Sequence, residues 1–538
     1  MNARFFVASV LGVLSTAGLF ACGDDGAGGS GGSPSSGGGG NPSTGGSPTT
    51  GGAPSTGGSG AGGDGGTPAT GGAPSGGAPS TGGAGGDGGA PSTGGAGGGG
   101  GAGGAGGMGG EGGMPPQIDQ SAYFYGDFAT DGVHQVGLTT FPGPVTNVLT
   151  LANLAADDVS GFAISPSGAQ IAVAGRDMAN GTYSVILFAA DGTGGTTLVT
   201  GAATNVDFDQ LQFSPDGAWL AYRSDPTANG ANELWVVPTS GGAPKRVSQA
   251  MSNSANDVAS YAFAPEALVG VHLAYSADPT TDNAFSLYTV EITAATPTPV
   301  NVVPEVTAAG MTVASGEPVW DAMGRVYFRG DFEVDNAFRL YRANKDGTMR
   351  QQVPGTTAFT NGAGEASVGS LGMSPDGSTL VFAVDSPTQN LYQMQKIVLS
   401  GTTPVALTNF MVSSPPATST GPDFATAPAF SPDGTLCAVK ADWPADAADN
   451  DFSAWIVRLD GSAPTRVVKV PMGMNQDVET VGFSADSLRL FVRGDVIANN
   501  DNVLVSTTDF ATADQDPMTL LIQNVVASGD VNGLFVTR

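Results

Sequence analysis

The carboxylates are where this sequence could do chemistry. Eight aspartates, Asp127, Asp177, Asp225, Asp278, Asp331, Asp385, Asp442 and Asp495, recur about every 50 residues, each closing a short apolar run. The segments behind several of them add oxygen donors: "DPTTDNAF" (278–285), "DFEVDNAF" (331–338), "DWPADAADNDF" (442–452) and "DVIANNDN" (495–502). The densest follows Asp442, where Trp443, Asp446, Asp449 and Asp451 combine an aromatic ring with carboxylates. Hard cations prefer such donors, so calcium or a cationic ligand is what these loops would hold. None has the full D-x-D-x-D-G spacing, which leaves a metal unassigned. The competing reading is architectural, because Asp and Asn bond the backbone of their own turns.

Other reactive side chains are scarce. The two histidines, His134 and His272, sit in or beside strand-like stretches and read as structural. Cys437 lies in the apolar alternation "TLCAVK" and reads as a buried thiol packing as a small hydrophobe. "GGSGG" at 28–32 has the letters of a nucleophile elbow but no flanking strand or helix. No catalytic residue is assigned. A formal net charge of −29 and a pI near 4.1 disfavour a nucleic-acid partner, whose phosphates would be repelled. Cationic partners, divalent cations or simple solubility fit that balance.

The elements that place the aspartates come from a repeat. "QFSPDGAWLAYRSD" (212–225), "GMSPDGSTLVFAVD" (372–385) and "AFSPDGTLCAVKAD" (429–442) share a tight turn between two apolar runs. Proline presets φ, aspartate suits the next turn position and glycine takes the positive φ of a bulged hairpin. Four further units are "ISPSGAQIAVAGRD" (164–177), "FAPEALVGVHLAYSAD" (263–278), "VWDAMGRVYFRGD" (319–331) and "GFSADSLRLFVRGD" (482–495). Each continues into a polar loop, a third strand such as "ELWVV" (233–237) or "AWIVR" (454–458), and a short fourth strand.

Four antiparallel strands per unit without helical periodicity predict an all-β fold, a single β-propeller of four-stranded blades. The ends complete the count. "AYFYGD" (122–127) matches a second strand lacking its first, and "NGLFVTR" (532–538) matches a first strand lacking its followers. Pairing the C-terminal strand with the N-terminal blade closes an eight-bladed ring, or a seven-bladed one if a divergent unit is misread. The eight aspartates then fall on one face of the ring.

These units resemble the TolB-like, WD-repeat-like propeller family in the recurrent F/W-S-P-D-G turn, the following apolar strand and its closing aspartate. The resemblance spans 121–538 and implies the fold; it does not imply a role, and nothing matches the separate α/β domain that TolB carries. Peptidases with similar propellers add an α/β-hydrolase domain, for which this chain leaves no room, and sugar lyases with related propellers hold a metal with several histidines.

Ahead of the repeats, residues 1–21 read as an export signal: Arg4 precedes the apolar run "FFVASVLGVLSTAGLF", which is too short to span a membrane comfortably. "LFAC" (19–22) resembles the lipobox of bacterial lipoproteins, which implies a lipid on Cys22. Residues 22–120 form a tether. From 23 to 114 they contain no aromatic residue and no Lys or Arg, a composition that cannot bury enough apolar area to offset chain entropy. A flexible coil of that length has a root-mean-square span of roughly 50–60 Å. The expectation is an exported monomer, lipid-anchored in the envelope, on the periplasmic or surface face of the outer membrane. Its propeller would be a non-catalytic platform for an envelope or extracellular protein or polysaccharide. A propeller hydrolase or lyase with an unrecognised acidic or metal site, and a purely structural envelope protein, are the alternatives.

Overall fold

The computed structural model describes residues 120–126, 134–141, 157–177, 181–201, 208–227, 230–265, 268, 270–303, 312–316, 318–334, 337–357, 359, 366–385, 392–401, 405–406, 423–424, 427–442, 452–468, 477–496, 503–513, 519–522 and 531–536. Among them there are strands and turns and no helix. Residues 22–119 of the expected tether, Cys22 included, lie outside this set, and Gln120 opens the first strand.

The strands form eight antiparallel sheets in chain order. Sheet 1 has three strands, Gln135–Phe141, Gln120–Gly126 and Val531–Val536, with the middle one pairing both others. Sheets 2 to 8 occupy 157–200, 208–246, 258–301, 319–352, 368–406, 423–468 and 478–522, and each is a meander of successive strands. In sheet 7 the first strand is split into Asp423–Phe424 and Ala429–Phe430, both paired with Leu436–Asp442. First strands of consecutive sheets touch, as Asp157–Ile164 does with Phe208–Phe213 and Val258–Phe263 with Val319–Trp320. This is the blade arrangement of a β-propeller.

All seven recurrent turns form, each closed by an N–H donated back to the carbonyl three residues earlier, from Gly168 to Ser165 through Ser487 to Ser484. In the template turn the Ser214 hydroxyl donates to Asp216 at 2.5 Å, while Ser214 Oγ accepts the Trp219 N–H at 2.9 Å. Gly217 has φ +70°, the left-handed value its position requires. In sheet 8 Ser487 holds that place at φ +63°, and its Oγ accepts the Asp433 N–H of the neighbouring sheet's turn.

The core lies between sheets. Along Trp219–Ser224, Leu220 and Tyr222 pack with sheet 2 while Ala221 packs with sheet 4. Alternation along a strand thus serves two interfaces at once. The same division recurs in sheet 4, where Leu273 and Tyr275 face one neighbour and Ala274 the other. Each fully buried large aliphatic or aromatic side chain contributes about 1.5–3 kcal/mol, so the interfaces carry most of the stability.

Candidate functional site

Of the eight aspartates, five have described side chains, and all five are buried: Asp225, Asp278, Asp331, Asp385 and Asp495. Asp177 and Asp442 end their strands as the sequence predicts, with only their backbone described. Asp127, Trp443, Asp446, Asp449 and Asp451 lie outside the described residues.

The buried carboxylates face main-chain donors. Asp278 and Asp331 each accept the N–H of the residue ahead of the sheet's first paired residue, from Asp257 and Thr312, at 2.6 Å. Asp385 accepts the Ser367 N–H and Asp495 the Asp477 N–H in the same way. Those four donors then reach the preceding sheet. Asp257 Oδ1 accepts the Asn232 N–H (2.6 Å), Thr312 Oγ1 that of Phe285 (2.9 Å), Ser367 Oγ that of Phe338 (3.3 Å) and Asp477 Oδ1 that of Phe452 (2.8 Å). A backbone bond follows each, from Val258, Val313, Val368 and Val478 to the carbonyls of the same four residues, at 2.8–2.9 Å. The result is a staple repeated at four sheet junctions: an aspartate fixes the start of a first strand, whose side chain holds the third strand next door.

The loops use what remains. Asp278 Oδ2 accepts the Asn283 N–H at 2.8 Å and Asp225 Oδ2 that of Gly230 at 2.6 Å. Asn283 has φ +61°. Burial pushes the Asp257 and Asp278 carboxyls above the ordinary carboxylate value, against the lowering effect of the N–H bonds they accept. These groups are arranged to bond backbone rather than to present oxygen to a ligand.

A row of cations accompanies them. Arg223, Arg329, Lys440 and Arg493 each stand two residues before a strand-ending aspartate, in a chain with only 19 Lys and Arg. Arg223 pairs with Asp209 and donates through Nη1 to the carbonyls of Val258 (2.8 Å) and Ala259 (3.1 Å) in sheet 4. Arg329 donates to Val368 of sheet 6 at 3.1 Å, and Arg493 pairs with Glu479. Lys440 lies 4.9 Å over the Phe452 ring; burial lowers its pKa, opposed by Asp477, Glu479 and Asp495. The row was visible in "YRSD", "FRGD", "VKAD" and "VRGD", but nothing in those letters names the neighbouring strand as its target.

His272 is buried, with Nδ1 3.2 Å from the Gly270 carbonyl and its pKa lowered mainly by burial. His134 is half-buried beside Tyr125. Cys437 is fully buried, and burial pushes its thiol up to about 12. Among the described residues no three His, Cys, Asp or Glu side chains converge as a metal would need.

No protein-family model matches this chain, and no curated protein does. Solved structures similar to it include TolB from Agrobacterium tumefaciens, at 15% identity and TM-score 0.29 over 54% of this chain and 87% of that one. An oligogalacturonate lyase from Vibrio parahaemolyticus follows at 12% and 0.39, covering 61% and 84%. Prolyl oligopeptidase B from Galerina marginata is similar at 11% and 0.45, covering 70% of this chain and 54% of that one. Likenesses this distant transfer no activity, substrate or site.

Proposed function

We propose that this chain is an exported bacterial lipoprotein whose lipid on Cys22 and long tether carry an eight-bladed propeller, and that the propeller is a non-catalytic binding platform for a protein or polysaccharide. The observation that carries the platform reading is the repeated staple. Asp278, Asp331, Asp385 and Asp495 accept main-chain N–H groups, and the residues they hold lock one sheet to the next. Such a frame is stiff, and its loops are free to vary, which is how rigid scaffolds display recognition surfaces. Ring closure is supported by Val531–Val536, which pairs with Gln120–Gly126 and touches the first strands of sheets 2 and 8. Envelope location rests on "LFAC" and the apolar run ahead of it.

A hydrolase or lyase reading would have to draw on carboxyls such as Asp257 and Asp278, whose raised pKa suits an acid. Both already accept backbone N–H groups. Affinity capture from envelope extracts with the full chain, with and without calcium, tests the platform: a specific partner is expected, and failure to enrich any would sink it. Labelled palmitate should enter the wild-type chain and not Cys22→Ser; equal labelling would remove the anchor.

A further inference from the structure

The four staples are not chemically alike. Where sheets 4 and 5 meet, and sheets 5 and 6, a hydroxyl oxygen accepts the N–H next door: Thr312 Oγ1 that of Phe285 and Ser367 Oγ that of Phe338. Where sheets 3 and 4 meet, and sheets 7 and 8, a carboxylate takes that place, Asp257 for Asn232 and Asp477 for Phe452. Two staples therefore hold two titratable groups in series. At the sheet 7–8 junction two cations, Lys440 and Arg493, stand among Asp477, Glu479 and Asp495. At the sheet 3–4 junction Asp209, Asp225 and Asp278 gather about Asp257, and Arg223 is the cation that faces it. That guanidinium already pairs with Asp209 and bonds the Val258 and Ala259 carbonyls. Asp257 and Asp278 are tied directly to each other: the Asp257 N–H donates to Asp278 Oδ1 at 2.6 Å, and the Asp278 N–H donates back to the Asp257 carbonyl at 3.2 Å. Of the other ionisable groups around the pair, Tyr261 faces Arg223, Tyr288 faces Asp278, and Asp282 is exposed in the loop that follows Asp278.

We propose that the sheet 3–4 junction is an acid-tightened latch: a proton taken from solvent onto the Asp257–Asp278 pair relieves repulsion among the four carboxyls and fixes the backbone at Asn232 and Asp257, and its loss toward alkaline pH loosens both. Burial first, with Asp209 and Asp225 adding to it, raises the Asp257 carboxyl against the Asn232 N–H and Arg223. Burial, with Asp257 adding to it, raises Asp278 against the N–H groups of Asp257 and Asn283. Groups raised in the folded state contribute fully below the ordinary carboxylate value, and that contribution is lost as pH rises through the raised one. A neutral Asp257 still offers a carbonyl oxygen to the Asn232 N–H, so the link between sheets survives protonation. The junctions closed by Thr312 and Ser367 have nothing at that position to titrate. The latch needs no ligand and so stands apart from the platform reading.

The test is amide hydrogen exchange of the full chain, read as protection over the unstructured rate at each pH, between about pH 8 and about pH 5, both above the isoelectric point near 4.1. On acidification, protection at Asn232 and Asp257 should rise about fivefold or more beyond any change at Phe285 and Phe338. Asp257→Asn keeps an oxygen for the Asn232 N–H and removes the charge, so its Asn232 amide should change no more than Phe285 does. Equal changes at all four amides, as repulsion across the whole acidic chain would give, would overturn the latch. So would an Asp257→Asn chain that keeps the wild-type rise at Asn232. If that variant does not fold, the comparison of amides within the wild-type chain decides. No partner enters this assay, so its failure leaves the platform untouched, and a failed affinity capture leaves the latch untouched.

Discussion

Asp278 is the sharpest place to test whether the aspartates are architecture. It is 2% exposed, and its two oxygens accept the N–H groups of Asp257 at 2.6 Å and Asn283 at 2.8 Å. Asp278→Ala would take the acceptor from the N–H groups of half-buried Asp257 and exposed Asn283, at about 0.5–1.5 kcal/mol each. Part of that loss is offset, because the wild-type carboxylate is itself held in a site that disfavours its charge. A net loss of about 1–2 kcal/mol is expected. Asp278→Asn keeps one acceptor and turns an NH2 toward the other donor, so about half that loss is expected. The exposed neighbour Asp282 is the control: Asp282→Ala should stay within about 0.5 kcal/mol. Because the folded-state pKa of Asp278 is raised, its contribution is fully present below the ordinary carboxylate value and declines as pH rises through the raised one. The gap between wild type and Asp278→Ala should therefore widen as pH is lowered from neutrality through that window. Urea unfolding followed by tryptophan fluorescence at neutral and acidic pH measures both effects. If Asp278→Ala matched wild type, or if the gap narrowed on acidification, the staple would not be doing what its geometry implies.

Three further outcomes follow from local chemistry. Asp376 has the opposite sign: hydroxyl and N–H donors lower its pKa, so its advantage over Asp376→Asn is present above the ordinary carboxylate value and lost as pH falls through the lowered one, and melting curves across that range should converge in acid. Met349 is 71% exposed at φ +57°; relief of a left-handed penalty of about 1–2 kcal/mol, less the extra chain freedom of glycine, should leave Met349→Gly more stable by roughly 0.5–1 kcal/mol in urea melts. Cys437 should resist a thiol reagent in a Cys22→Ser chain until the protein unfolds, so that its labelling rate tracks denaturant, and rapid labelling of native protein would contradict its burial.

The repeated meanders were legible because their signals are local. Pro215, Asp216 and Gly217 lie within one turn, and the alternation Leu220, Ala221, Tyr222 states which residues face which side before any neighbour is known. What the sequence hid was every bond between sheets. The residue that answers a strand-ending aspartate is Asp257, Thr312, Ser367 or Asp477, three residue types whose common property is a side-chain oxygen. No spacing rule joins Asp257 to Asn232 across a third strand, a fourth strand and a loop. The same limit hid the Gln210 backbone, which takes φ +49° where the first strand of sheet 3 bulges. A glutamine mid-strand gives no warning of that.

The two sets of aspartates show how one residue type serves opposite ends of a repeated unit. At the strand-closing end, burial raises the pKa of a carboxylate such as Asp278, and backbone donors from its own sheet hold it in place. At the turn end, Asp376 and Asp433 are met by hydroxyls and an N–H of their own loops, and stay charged toward solvent. A strongly acidic chain must still fold against its own repulsion. Here part of that charge is bonded between strands beside Arg223, Arg329, Lys440 and Arg493, and part, as at Asp376 and Asp433, is turned toward solvent. A carboxylate already bonded to two backbone donors would have to give up the sheet junction in order to bind anything else.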